Sequence, residues 1–452
     1  MNYQQGNIVE IQISDLSNDG DGVGRIDGMV VFVPDTVTGD RASVRLIQVK
    51  SQYTRGKLHQ LLTPSVDRIR PRCMVADKCG GCQWQHVSDE YQRTVKREQL
   101  VRALEKIGGF PQPEVAQMLF TPHSLNYRNK ATYPLARSAT TGQVQAGYYR
   151  TATHQLVNLN QCPVQDQRLN PFLTEIKKDI EARGWSIYNE KRHHGKLRHL
   201  SLRIGRHTGE ILLTLIATDS HLSGIEEQAE IWMQRYSQLV GVCLNINAKQ
   251  TNTIFGDRTD IIAGKGYLTE IFAGLKLQLR PETFFQVNTE AAEALLEEIV
   301  AQLNLQGNEI LVDAYCGIGT FTLPLAKKVK SAIGIEVQQA SIEQANINAK
   351  LNNINNVSFR SGTVESLLPQ LEVRPDLVLL DPPRKGCDRS AIETLLKIQP
   401  QRIVYISCQP ATLARDLKLL CQDGNYQLTL VQPADFFPQT AHVESIAFLL
   451  KS

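Results

Sequence analysis

The sequence predicts a multidomain protein: an OB-like β-barrel, then a mixed α+β centre holding a metal site, then an α/β sheet of Rossmann-like type. Three observations predict it. Residues 1–63 are short apolar runs punctuated by glycine, residues 64–270 carry a set of four cysteines with ligand-like spacing, and residues 271–452 alternate strand and helix patterns. A chain of 452 residues suffices for two or three such units, each with its own core.

In the first unit IVEIQISDL, the turn DGDGVG, MVVFVP and RASVRLIQVK read as strands and their connection. Ala42, Val44 and Leu46 alternate with Arg41, Ser43 and Arg45, the period of a half-buried strand. Five-stranded barrels of this kind bind nucleic acid. Arg41, Arg45, Lys50, Arg55 and Lys57 are weighed evenly as phosphate contacts and as ordinary solvated charges.

The second unit opens on Cys73, Cys79 and Cys82 in PRCMVADKCGGCQWQ, with Cys162 following in NQCPVQ. The C-x5-C-x2-C spacing gives three thiolates on one tight loop, and Gly80 and Gly81 let the backbone wrap closely. Four thiolates suit a 4Fe–4S cluster or a structural zinc. The five-residue first gap favours the bulkier cluster over the zinc knuckle. Beyond it, LRHLSLRIGRHTGEILLTLIA reads as a hairpin turning at Thr208-Gly209. KRHHGKLRHLSLRIGRH, residues 191–207, is the densest basic run and is expected to hold nucleic-acid backbone.

The third unit begins its chemistry at EILVDAYCGIGTFTLPLA, where an apolar strand ends in Asp313, a glycine-bearing turn follows and helical sequence resumes after Thr320. The turn lacks the third glycine of the dinucleotide fingerprint. Glu336 ends the next apolar run, AIGIEV, where an acid can hold ribose hydroxyls. S-adenosylmethionine, which carries no pyrophosphate, fits this pattern better than a dinucleotide. DLVLLDPPRKG then delivers Asp381 to the carboxyl edge of the sheet, where ligands of open α/β sheets collect. RIVYISCQPATLARDL delivers Ser407 and Cys408 to the same edge, just before a helix starting at Pro410. The helix dipole is expected to lower the Cys408 pKa and raise its thiolate fraction. AHVESIAFLL presents Glu444 at the start of a last strand.

Taken together, C-x5-C-x2-C with Cys162, DAYCGIGTFTLPLA, DPPRKG, SCQPATLARDL and HVES resemble the RNA uracil-5-methyltransferases over nearly the whole chain. The resemblance is to their branch with a TRAM domain and an iron–sulfur cluster, which modifies 23S ribosomal RNA. It implies a TRAM barrel at 1–63, a cluster-bearing RNA-binding centre at 64–270 and a methyltransferase domain at 271–452. It also implies that the helix around Tyr91 to Ile107 packs on the third unit. The sequence departs from the family at Ala314-Tyr315, where Leu-Phe is usual, at Thr320 for Asn and at Gln409 for Asn.

Such chemistry needs these residue types. Uracil C5 is a poor nucleophile until a thiolate adds to C6 and makes the ring an enolate. After methyl transfer a base must remove the C5 proton, a role worth roughly 10²–10⁴ in rate. Cys408 is the expected nucleophile and Glu444 the expected base. Gln286 and Asp381 are expected to hold the cofactor or the uracil edge, and the resemblance places Tyr315, Thr320, Glu336 and Thr363 around S-adenosylmethionine. The same chemistry on transfer RNA is the alternative.

Other classes fit less well. Radical S-adenosylmethionine enzymes use C-x3-C-x2-C, adenine-N6 methyltransferases want an aromatic where Arg384 stands, and DNA cytosine-5 enzymes place the nucleophile after proline, not after Ser407. Cys243, Cys316, Cys387 and Cys421 are expected to pack as small apolar groups. The charge is nearly balanced, with Lys+Arg 49 and Asp+Glu 46, so RNA affinity must come from local patches. The polar start MNYQQGN and short apolar runs predict no membrane span. Ligand-like cysteines without a secretory segment predict a reducing cytoplasm, and no protein partner beyond a monomer is implied.

Overall fold

Alternating apolar residues close the first strands into a barrel, in a computed structural model that describes residues 3–452. β1 (Ile8–Leu16), β2 (Gly22–Ile26), β3 (Met29–Val33), β4 (Arg41–Val49) and β5 (Tyr53–Thr63) are joined in the order β1-β2-β3-β5-β4. Ile11, Ile13, Val31, Val33, Val44 and Leu46 fill its interior. Outside, Arg41 pairs with Glu10 at 2.8 Å, whereas Arg45 lies directly across from Lys57. Among the described residues, neither Arg45 nor Lys57 has a carboxylate partner.

The centre is a seven-stranded sheet in the order β12-β11-β10-β9-β6-β7-β8. Its strands are β6 (Lys130–Arg137), β7 (Val144–Tyr149), β8 (Leu156–Asn158), β9 (Leu197–Ile204), β10 (Ile211–Ala217), β11 (Leu239–Ile246) and β12 (Arg258–Gly264). The hairpin turns at Gly209, whose φ of 76° suits glycine. Burial corrects the expectation for the basic run. Arg198 donates to the carbonyls of Asn247 and Lys249 at 2.8 Å, and Arg203 to those of Arg280 and Thr283 at 2.7 Å. Arg206 is held by Asp166 and Glu290. These guanidiniums satisfy loop carbonyls and carboxylates inside the protein, leaving Lys191 to His194 and, beside Glu293, His207 as the exposed parts of the run.

A hairpin, β13 (Leu268–Phe272) and β14 (Leu275–Leu279), leads into the last sheet. β15 (Ile310–Asp313), β16 (Ser331–Glu336), β17 (Val357–Ser361), β18 (Leu377–Leu380), β19 (Arg402–Ser407), β20 (Tyr426–Ala434) and β21 (Glu444–Lys451) lie in the order β17-β16-β15-β18-β19-β21-β20. The first five are parallel; β15, β16, β18 and β19 are mostly apolar, as strands covered on both faces must be, whereas the edge strand β17 is more polar and exposed. β21 runs antiparallel to β19, with Ser445 opposite Ser407. That reversal brings the start of β21 to the edge where the parallel strands end.

Among the described residues nine α-helices accompany the sheets: α1 (Asp89–Ala103), α2 (Asn170–Ala182), α3 (Ile225–Arg235), α4 (Thr289–Leu303), α5 (Thr322–Ala326), α6 (Gln339–Leu351), α7 (Val364–Leu367), α8 (Arg389–Ile398) and α9 (Pro410–Cys421). α1 is capped by Ser88 and carries Leu100 into the same core as Leu413, Val431 and Tyr405, so it packs on the third sheet. Its Lys96 is fully buried, with Nζ 2.7 Å from Asp435 and 3.0 Å from the Phe437 carbonyl. Lys96→Met is expected to strand the Asp435 charge and lower stability by ~3–5 kcal/mol, measurable by urea unfolding. No helix among the described residues is long and apolar enough to cross a membrane.

Candidate active site

Each parallel strand delivers one side chain to the common edge. β15 ends at Asp313, whose carboxylate accepts from Thr322 Oγ1 at 2.5 Å and from the Tyr315 amide at 3.4 Å. Burial raises its pKa to about 6. Glu336 ends β16 and ties two turns together, accepting from the Gly317 amide at 3.2 Å and the Gln338 amide at 2.9 Å. Thr363 caps α7 through the Ser366 amide. Asp381 follows β18, and Gln286, just ahead of α4, donates to it at 3.4 Å. Burial, with Asp313 nearby, raises Asp381 to about 7.

The loop after Asp381 is folded back by one buried carboxylate. Asp416 on α9 accepts from the Cys387 amide at 2.9 Å and from Tyr405 Oη at 2.6 Å. Gly386 has φ 79°, and a Cβ there would sit 2.5 Å from Asp416 Oδ2, so this turn requires glycine. Arg384 is thereby turned to within 3.2 Å of His442 Nε2. A guanidinium only donates, so that nitrogen accepts and the ring is neutral with its proton on Nδ1. Burial and Arg384 both lower the His442 pKa, in agreement.

β19 ends at Ser407 and hands Cys408 to the edge, with Ser407 Oγ accepting from the Gln409 amide at 3.1 Å. The Cys408 thiol is pushed up to about 11, first by burial and then by Glu444, against an opposing Arg384. The direction is opposite to the expected depression, because desolvation, Glu444 and Asp381 together outweigh Arg384. Glu444 is 5% exposed, and burial followed by Asp381 holds its pKa well above the carboxylate range. A cleft of about 700 Å³ collects Cys408, Glu444, Asp381, Gln286, Tyr315, Glu336 and Thr363 in its walls. Thr320 is buried and does not line it.

Residues 94–452 match the family model described as tRNA (uracil-5-)-methyltransferase, and residues 3–59 match the TRAM domain. The chain belongs to this methyltransferase family. Membership makes it an S-adenosylmethionine-dependent RNA methyltransferase of the uracil-5 type carrying a TRAM barrel. It is 64% identical over 450 residues to a Nostoc sp. protein named as an RNA methyltransferase, covering 100% of this chain and 98% of that one. A Synechocystis sp. protein of the same description is 58% identical over 447 residues, covering 99% and 96%. Among solved structures, the Pyrococcus abyssi tRNA (uracil-54, C5)-methyltransferase in complex with S-adenosyl-L-homocysteine is similar with a TM-score of 0.78. It is 27% identical and covers 98% of this chain and 100% of that one.

Within this uracil-5-methyltransferase three cleft residues escaped sequence reasoning as contributors: Arg384, His442 and Phe437. Arg384 adjoins DPP and His442 opens HVES, so proximity to the motifs was the available signal. Phe437 carried none, because the β20–β21 loop places it. Cys73, Cys79, Cys82 and Cys162 line a separate cavity of about 220 Å³ together with Arg128. Burial raises Cys82 to about 12 and Cys162 to about 11. Among the described residues, no group of three or more His, Cys, Asp or Glu side chains is drawn together as for a single ion. Cys243, Cys316 and Cys387 are buried, and Cys421 packs against the third core, as small apolar groups do.

Proposed function

We propose that the protein methylates C5 of a uridine in RNA, with 23S ribosomal RNA the favoured substrate, using Cys408 as nucleophile and Glu444 as base. The observation that carries this reading is that thiol and carboxyl share one cleft closely enough for Glu444 to shift the Cys408 pKa. S-adenosylmethionine, when bound, supplies an electrophilic methyl group. The Cys408 thiolate forms a bond to C6, and the ring electrons move to make C5 nucleophilic. Once C5 is methylated, Glu444 takes its proton, the C6–sulfur bond breaks and the electron pair restores the ring double bond. Arg384, facing Cys408, Glu444 and His442, opposes the rise in both pKa values and so favours the charged forms this sequence needs.

Because a thiol near 11 is protonated at neutral pH, its thiolate fraction grows about tenfold per pH unit until that value. The logarithm of kcat/KM is therefore expected to climb with slope near one from neutral pH upward, measured by tritiated methyl transfer. Glu336 is assigned to the cofactor ribose, as its place on the cleft wall and its bonds to two loop amides support. Glu336→Ala is expected to raise the S-adenosylmethionine Kd about ten- to hundred-fold by calorimetry.

The four cysteines are assigned to a 4Fe–4S cluster held by Cys73, Cys79, Cys82 and Cys162. The C-x5-C-x2-C spacing and the four cysteines' shared place around one cavity support this reading. Methyl transfer is redox-neutral, so its role is structural, in the fold of the centre and in RNA docking. Iron and sulfide are expected in equal amounts after anaerobic purification and absent from Cys79→Ser. Activity that depends strongly on the redox state of an intact cluster would overturn the structural role.

The likeness to the Pyrococcus abyssi tRNA (uracil-54, C5)-methyltransferase supports a second reading: the same chemistry on transfer RNA. Mapping 5-methyluridine by mass spectrometry in ribosomal and transfer RNA from a deletion strain decides between them. Loss of the mark from neither RNA would refute the proposal.

A further inference from the structure

A second cavity, of about 290 Å³, adjoins the catalytic cleft, and Cys408 and His442 line both. Four distant parts of the chain build it: Asn18 after β1, the end of α1, the start of α9 at Gln409 and Pro410, and Ala441 to Val443 ahead of β21. The two cavities differ sharply in charge. The cleft carries five carboxylates, Glu336, Glu365, Asp381, Asp388 and Glu444, against the two cations Arg384 and Lys385, a balance that suits a cationic cofactor and a general base better than a phosphodiester. The second cavity has no carboxylate in its walls, and its cations are Arg102 and Lys106.

The end of α1 is shaped to present them. The helix widens into a π-helical turn over Leu104–Gly108 and stops at Gly109, with φ 73°. Such turns are frequent at functional sites. Here Leu104 and Gly108 stay buried, while Lys106 and Ile107 are exposed. Arg102 is partly engaged by Asp15 at 2.8 Å, and among the described residues Lys106 has no carboxylate partner. Ile107, 42% exposed, joins Ala103, Pro410 and Val443 as an apolar surface beside these cations.

We propose that this cavity binds the nucleotide adjoining the target uridine, its phosphate on Lys106 and Arg102 and its base against Ile107. The inference rests on the uridine reading above. A uracil presented to Cys408 must be drawn out of its stack. Its strand must then leave the acidic cleft, and the basic cavity opens at the shared Cys408–His442 wall.

The test measures tritiated methyl incorporation by the full-length holoenzyme into total RNA from a deletion strain, at several salt concentrations. Lys106→Ala is expected to raise the RNA KM about three- to ten-fold and to flatten the slope of log affinity against log salt by about one unit. Lys106→Arg should restore both, Ile107→Asp should raise KM, and the S-adenosylmethionine Kd should not move. Wild-type incorporation with KM and salt slope unchanged in Lys106→Ala and Ile107→Asp overturns the site and leaves the uridine chemistry standing. A Kd for the cofactor that shifts along with KM overturns it too. No incorporation by the wild type overturns both readings.

Discussion

Cys408→Ala is expected to reduce methyl transfer by roughly 10⁴-fold or more, because without covalent addition C5 has no means of attacking the methyl group. Cofactor binding should stay near wild type. Cys408 is only partly buried, and the hydrogen bonds that hold Glu336 and Asp381 run to the Gly317 and Gln338 amides and to Gln286 rather than to it. The complementary experiment is RNA carrying 5-fluorouridine. Fluorine at C5 cannot leave as a proton, so the wild-type protein should be trapped as a methylated covalent adduct, visible as a shifted band under denaturing electrophoresis. An active alanine variant would end the mechanism. So would failure of the wild type to form the adduct.

Glu444→Gln should separate the two halves of the reaction. Glutamine keeps the size and hydrogen-bonding capacity of the buried side chain but removes its basicity, so release should slow by roughly 10²–10⁴. A second effect follows from the coupling. Glu444, when ionised, raises the Cys408 pKa, so an uncharged glutamine should lower that pKa and ease addition in the pH range where the wild-type carboxylate is charged. Methylated RNA should therefore accumulate on Cys408 with ordinary uridine substrate, without fluorine. Free product formed at the wild-type rate would assign the proton transfer to another group, and His442 in the same cleft would be the first to examine.

The sign of this pH dependence was not legible in the sequence. A cysteine ahead of a helix suggests a lowered pKa, and the helix from Pro410 is indeed present. What reverses the outcome is the company around the sulfur: Glu444 from β21, Asp381 from β18, and the burial they share. None of these lies within 25 residues of Cys408 in the chain. Likewise, residues 191–207 read as a basic surface because charge is visible in sequence while burial is not. Strand β9 turned Arg198 and Arg203 inward, toward carbonyls more than 45 residues away.

By itself the sequence determined the period-two barrel strands, the apolar parallel strands with the side chains at or just past their ends, Asp313, Glu336, Asp381 and Cys408, and Glu444 at the start of a last strand. These features are local, set by patterning and turn chemistry over ten residues or so, and they name the chemistry. The tertiary structure alone decided what those side chains experience. Strand order put β21 beside β19 and so Glu444 beside Cys408, the Asp416 anchor turned Arg384 over the cleft, and α1 docked across the third sheet to bring Lys96 to Asp435 and Lys106 to the second cavity. Protonation states, charge partition and the shape of the RNA path depend on distances between residues far apart in the chain, and only packing sets those distances.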